Sequence, residues 1–217
     1  MLDVTNRIRN ITGNYRYISH LMRLWRLQEL LGFDSNRLER KLIARAAKGY
    51  TNSRPWTSID LGCGDQPRNP FNADKAFGYD FRENQANQVY ACNLAIEPIP
   101  LPENSIDFAT AYDFVEHIPR IIVSQETRFP FIEFMSEVHR VLKPNGLFYS
   151  KTPAYPKNEA FQDPTHVNII TTDTFPYYFC WHPYGGPWGR LYGFNAKFEL
   201  ASQRWQGFHL LTVLRKI

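Results

Sequence analysis

Cysteine is scarce in this chain. Three residues among 217, Cys63, Cys92 and Cys180, are odd in number, far apart and outside any CxxC or Cys/His ligand spacing. They suggest neither a disulfide framework nor a zinc site, and no metal is expected. Long apolar runs are missing too. No stretch approaches the roughly 18 apolar residues of a membrane span, and the opening MLDVTNRIRN lacks the apolar core of a signal peptide. The expected setting is a reducing cytoplasm. There is no internal repeat or low-complexity tract, and a formal charge of +4 is too small an excess to make nucleic acid the default partner. What is present, 43% hydrophobic and 15% aromatic residues, suits one globular domain over residues 1–217 that buries its own core.

The charge excess is local. Residues 1–55 hold eleven Lys and Arg against four Asp and Glu, a balance of +7, which leaves −3 for residues 56–217. This N-terminal part reads as two helices separated by Gly32. In the first, Ile8, Ile11, Tyr15, Ile18, Met22 and Trp25 recur at steps of three and four. The second starts at Asp34 or Ser35, carries Leu38, Leu42, Ile43, Ala46 and Ala47 on one face, and ends at Gly49. The pair is either a lid packed over a larger core or a basic arm for an anionic partner, peripheral membrane lipid included.

From residue 57 the pattern becomes short apolar runs, at 57–61, 76–79, 88–92, 106–112 and 147–150, interleaved with helical stretches such as 130–142. Such alternation predicts a doubly wound, mostly parallel α/β sheet of Rossmann-like form. Residues 194–205 and 208–216, joined at Gln206-Gly207, predict an antiparallel hairpin added at one edge. Within the single domain this assigns 1–55 to the helical arm or lid, 56–172 to the cofactor-binding core, 173–193 to an aromatic insertion on the acceptor side and 194–217 to the hairpin. Residues 175–198 hold ten aromatics, too many for an ordinary connector, so the tract is expected to wall a pocket or form a lid with its own small core.

The strongest motif is the apolar run into Asp60-Leu61-Gly62-Cys63-Gly64. Gly-x-Gly after a strand lets the backbone turn tightly and come close to a ligand. Twenty residues past Asp60, a second strand ends at Asp80, where a carboxylate can accept from two ribose hydroxyls. A dinucleotide fingerprint would require a third glycine, but Pro67 stands there, and with Pro70 it leaves room for at most a short or distorted helix. A pyrophosphate needs that helix N-terminus, whereas a ligand with a ribose and no phosphate does not.

These residues resemble the class I S-adenosylmethionine-dependent methyltransferases over about 56–172 and the terminal hairpin. The resemblance implies S-adenosylmethionine as cofactor, with Asp60, Gly62, Cys63 and Gly64 in the glycine motif and Asp80 on the ribose. It also implies that Asn93 and Leu94 lie beside the adenine, with Asn93 standing where an acid is common, and that Asp113 lies at the fourth-strand end. The run 99–108, the stretch Tyr112-Asp113-Phe114-Val115-Glu116-His117-Ile118 and the turn Val141-Leu142-Lys143-Pro144-Asn145-Gly146 are similar to further family segments. The strings 63–71, 152–156 and 161–168 look like a bacterial branch of small-molecule methyltransferases tied to surface-polysaccharide biosynthesis.

Methyl transfer to an alcohol requires a donor and acceptor held in line and a base for the hydroxyl proton. The candidate bases are His117, after the fourth strand, and His166, with Asp163 three residues before it to orient the ring. Each also has a reading without chemistry: Glu116-His117 as a helix cap and Asp163-Pro164 as a turn. Tyr155, Trp181 and His182 are candidate acceptor contacts, with packing as the alternative, while His20, His139 and His209 read as bystanders. The Asn/Asp-Pro-Pro-aromatic string of nucleic-acid amino-methyltransferases is absent after the fourth strand. The expected activity is therefore methyl transfer to an oxygen of a small molecule or saccharide. The rivals are an RNA methyltransferase using the basic helices and a non-catalytic cofactor-binding regulator.

Overall fold

The computed structural model describes residues 35–181 and 187–217. The chain divides into two units, Met1–Leu38 and Glu39–Ile217. The expected first helix and His182 lie outside the described residues.

In chain order the elements are α1 (Ser35–Ala47), β1 (Thr57–Leu61), β2 (Lys75–Asp80), β3 (Val89–Ala91), β4 (Ile106–Tyr112), β5 (Ile122–Val123), β6 (Thr127–Arg128) and α2 (Pro130–Val141). β7 (Leu142–Pro153), α3 (Glu159–Gln162), α4 (Thr174–Phe179), β8 (Phe198–Gln206) and β9 (His209–Lys216) complete them. Seven strands form one sheet in the order β3-β2-β1-β4-β7-β9-β8, and β5 and β6 form a separate ribbon. The first five are parallel, and β9 runs antiparallel to both its neighbours. The expected doubly wound sheet with a terminal hairpin is therefore present, its turn shifted to Gly207-Phe208. The predicted turn at 143–146 is present as a bulge within β7. Pairing with β4 jumps from Ile106↔Leu142 to Phe108↔Leu147, and Asn145 is left-handed at φ 64°.

Period-two alternation sorts the sheet's side chains onto two faces. Ile59, Leu61, Ala109, Ala111, Phe148, Leu210 and Leu214 join the core under α2, whose Phe131, Met135 and Val138 are buried against it. Phe108, Tyr112, Leu147, Tyr149, Leu211 and Val213 face the other way, against Leu42, Ile43 and Ala46 of α1. No helix forms between β1 and β2. Pro67 and Pro70 interrupt the segment, and Phe71 instead stacks on Phe108 with ring centroids 4.3 Å apart.

All five parallel strands end at the same sheet edge, at Leu61, Asp80, Ala91, Tyr112 and Pro153. The turn of the terminal hairpin arrives there too, because Pro153 pairs with His209. In an open α/β sheet this carboxyl edge is where ligands bind.

Candidate active site

The glycine turn is held from below by Asp60, which is 1% exposed. Its Oδ1 accepts from the hydroxyl of Thr110, opposite it on β4, at 2.6 Å, and its Oδ2 accepts from the Arg68 N–H at 2.8 Å. Burial pushes this carboxyl up to about 6 despite both bonds. With both oxygens engaged inside the protein, Asp60 fastens loop 62–68 to the sheet.

The two glycines differ. At Gly62, φ is +67° and an added Cβ would lie 2.0 Å from Cδ2 of Phe114, so the missing side chain makes room for that ring. At Gly64, φ is +63° and nothing lies within 4 Å of the Cβ position, so the approach is open. The Gly64 N–H donates to Asp80 Oδ2 at 2.9 Å, and the Arg82 N–H reaches Oδ1 at 3.3 Å. Each carboxylate oxygen keeps lone-pair capacity for a ribose hydroxyl. An open backbone beside a nearly buried carboxylate fits a ribose-bearing cofactor. Cys63 is packing: its sulfur fills the space over Gly78, where a Cβ would come within 2.3 Å, and burial first, then Asp60 and Asp80, push its thiol up to about 12. After β3, Asn93 is exposed in a turn, its Oδ1 accepting from the Ala95 N–H at 3.3 Å, while Leu94 is buried in the core.

Just after β4 comes Asp113, left-handed at φ 48°, with its N–H on the Lys151 carbonyl at 2.8 Å. Its carboxylate lies 2.7 Å from Nε2 of His209 at the start of β9. Burial raises this carboxyl, but the His209 contact outweighs it and holds Asp113 below the usual range. His209 reads as a bystander in sequence because its partner lies 96 positions away.

The turn after Asp113 brings the candidate bases together. Glu116 is 1% exposed. Its Oε2 accepts from the Thr152 hydroxyl at 2.7 Å, and its Oε1 has no partner among the described residues. Burial pushes this carboxyl up to about 7. The rings of His117 and His166 lie 4.9 Å apart at 73°. Nδ1 of His117 is 3.0 Å from the Thr165 hydroxyl and 3.3 Å from the Thr165 carbonyl, and that hydroxyl donates to Asp163 Oδ1 at 2.6 Å. Both neighbours of Nδ1 are therefore acceptors. The neutral ring carries its proton on Nδ1 and presents a lone pair at Nε2.

Asp163 thus acts on the cluster through Thr165 and His117. Its expected partner His166 is farther, with Nε2 3.9 Å from Asp163 Oδ2, and the buried Nδ1 of His166 has no partner among the described residues. Neither Glu116 nor Thr165 stands out as a site residue in the sequence. An acid and a hydroxyl at those positions are ordinary turn residues until the fold joins segments 115–117 and 163–168.

Asn168 ties this cluster to a cavity of about 270 Å³. Its N–H donates to the Glu116 carbonyl and its Nδ2 to the Val115 carbonyl, each at 2.9 Å, and its Oδ1 accepts from Arg120 Nε at 2.8 Å. The cavity is walled by Arg120, Phe129, Phe131, Tyr178 and Tyr192, with Asn168 at its side.

The aromatic tract splits. Phe175, Phe179, Phe194 and Phe198 are fully buried core, while Tyr178 and Tyr192 reach the cavity. Trp181 is 62% exposed and bonds through its N–H to the Phe198 carbonyl at 3.3 Å. Phe198 pairs with Lys216, at the amino end of the parallel strands. The fold therefore puts Trp181 at the edge opposite the glycine turn, because β8 runs in the same direction as β7. Tyr155 does lie at the carboxyl edge, 54% exposed, with its N–H on the Ile170 carbonyl.

Residues 59–150 match the profile of a protein family described as a methyltransferase domain. Among solved structures, the fold is similar to an S-adenosylmethionine-dependent methyltransferase from Archaeoglobus fulgidus at 14% identity and TM-score 0.51, over 83% of this chain and 94% of that one. It is also similar to the [4+2]-cyclase SpnF at 14% identity and TM-score 0.51, over 82% of this chain and 80% of that one. At such identity these likenesses speak for the fold. The curated proteins contain no match.

Proposed function

We propose, from the premise that this chain is a class I S-adenosylmethionine-dependent methyltransferase with its methyltransferase domain at residues 59–150, that its acceptor is a hydroxyl of a small molecule or saccharide. When bound, the cofactor supplies a methyl group on a sulfonium, which leaves behind a neutral thioether. Asp80 takes the ribose hydroxyls, and the open backbone at Gly64 lets the ligand lie against the turn. Asn93 and Leu94 flank the base from the turn after β3, and Asp113, paired with His209, borders the site from β4.

The observation that carries the acceptor reading is the lone pair at Nε2 of His117, set by two acceptors on Nδ1. An amine acceptor needs only a neutral nitrogen, whereas an alcohol must lose its proton, and a fixed imidazole base serves that step. The aromatic cavity beside Asn168 offers flat faces to an acceptor ring, and Tyr155 stands at the same sheet edge. Participation in surface-polysaccharide biosynthesis, in the cytoplasm, is the wider setting proposed for this activity.

The test is a panel of sugars, phenols and amines scored for S-adenosylhomocysteine release, with the site of methylation read by mass spectrometry. The expected product is an O-methyl compound. His117→Ala is expected to lower kcat by about 10²–10⁴-fold at unchanged cofactor affinity. A product methylated on nitrogen, or full turnover by His117→Ala, refutes the reading.

A further inference from the structure

Among the described residues one group of side chains has the composition of a metal site. One ligand atom from each of Glu116, His117 and His166 lies within 4.8 Å of the other two. Three features of this group go beyond proximity. The nearly buried Glu116 has a carboxylate oxygen, Oε1, without a partner among the described residues, although a buried acceptor left unsatisfied forfeits its hydration for nothing in return. His166 has a buried Nδ1 in the same condition. His117 is fixed with Nε2 as a lone pair by Thr165, which is itself held by Asp163. A ring nitrogen presented as a lone pair while the other is anchored, through a hydroxyl, to a carboxylate is how outer contacts prepare a histidine ligand.

We propose that Glu116, His117 and His166 bind a divalent transition-metal ion of the zinc class. Two imidazoles and one carboxylate form a three-ligand set that leaves a coordination position open, as catalytic sites require. The unpartnered atoms of Glu116 and His166 gain a partner when the ion binds, and Thr165 and Asp163 orient His117. The arrangement was invisible in the sequence, because Glu116-His117 and His166 lie 49 positions apart and match no ligand spacing. In the methyl-transfer reading, on which this clause rests, Nε2 of His117 is a ligand whenever the ion is bound and no longer the base, and the open position takes and acidifies the acceptor hydroxyl. Its proton leaves to water, its oxygen bonds the methyl carbon, and the carbon–sulfur bond breaks to release the thioether.

The test uses the full chain, stripped with a chelator and without cofactor or acceptor, titrated with Co²⁺ and followed by ligand-field absorption, then displaced with Zn²⁺. One ion per chain is expected. Glu116→Gln and His166→Asn are each expected to weaken binding at least 100-fold, and Thr165→Ala about 10–100-fold. Circular dichroism checks the fold of each variant, and the near-isosteric Glu116→Gln guards against loss of structure. Absence of the Co²⁺ spectrum in wild-type protein, or unchanged affinity in either ligand variant, overturns the site. Because binding is read without cofactor, a metal site without methyl transfer refutes only the functional reading. Chelator-resistant methyl transfer without Co²⁺ binding refutes only the metal.

Discussion

Replacing Gly62 by alanine tests how the glycine turn is built. The backbone there is at φ +67°, and the new Cβ would lie 2.0 Å from Cδ2 and 2.2 Å from Cγ of Phe114. Holding alanine in the left-handed region costs about 1–2 kcal/mol. The ring must also leave its seat, and with it the edge contact to Phe134 at 5.7 Å, worth about 0.5–1.5 kcal/mol beyond the area buried. The sum is about 3 kcal/mol, or roughly 6–12 °C in Tm for a chain of this size. Removing the ring first, in Phe114→Ala, opens the space, so Gly62→Ala on that background should cost only the backbone part. The assay is urea denaturation of the four proteins of the cycle, with a coupling of about 1–2 kcal/mol expected between the two sites. Additivity within about 0.5 kcal/mol would refute the claim that Gly62 is glycine for the sake of Phe114.

The remaining expectations concern the cofactor and pH. If Asp80 takes the ribose as proposed, Asp80→Ala removes two charge-assisted bonds, each worth about 1.5–3 kcal/mol, and strands the Gly64 N–H. The Kd for S-adenosylhomocysteine should rise at least 100-fold by calorimetry, and a change under threefold would count against the ribose assignment. His139, packed edge-on against Phe198 at 5.0 Å, is lowered to about 4 by burial first and by Lys216 second. The unfolded chain takes up its proton below about 6.5, so this stability is intact above that pH and is lost as pH falls toward 4. Between pH 7 and pH 5 wild type should lose about 2 kcal/mol relative to His139→Leu in urea melts. Equal losses in both proteins would refute it. Asp60 and Glu116, raised by burial, titrate with the opposite sign, which is why the difference between the two proteins is the readout.

The parallel core was legible in the sequence because local periodicity encodes it. The run at 57–61 matches β1 and the run at 106–112 matches β4 residue for residue, and α2 ends one residue before its predicted end. Gly62, Gly64 and Asp80 could be placed at one edge because a strand end followed by a turn is a local event. The hold of Asp60 on the glycine turn was not legible, since its bonds to Thr110 and Arg68 depend on the register of β1 with β4 and on a loop without a helix. Trp181 belonged by composition to the acceptor side, and the direction of β8 carried it to the opposite edge.

The sequence by itself determined the α/β class, the strand positions, the glycine turn with its acidic partner and hence the kind of cofactor. All of these rest on contacts and spacings within some twenty residues. Only the tertiary structure decided how the candidate catalytic cluster is assembled. Segments 115–117 and 163–168 reach one another through Asn168 and the Thr165–His117 contact, and β9 carries His209 to Asp113 across 96 positions. No periodicity records such meetings, because they follow from how the strands and their connections are stacked. The chemistry of Glu116, His117 and His166 arises at that level.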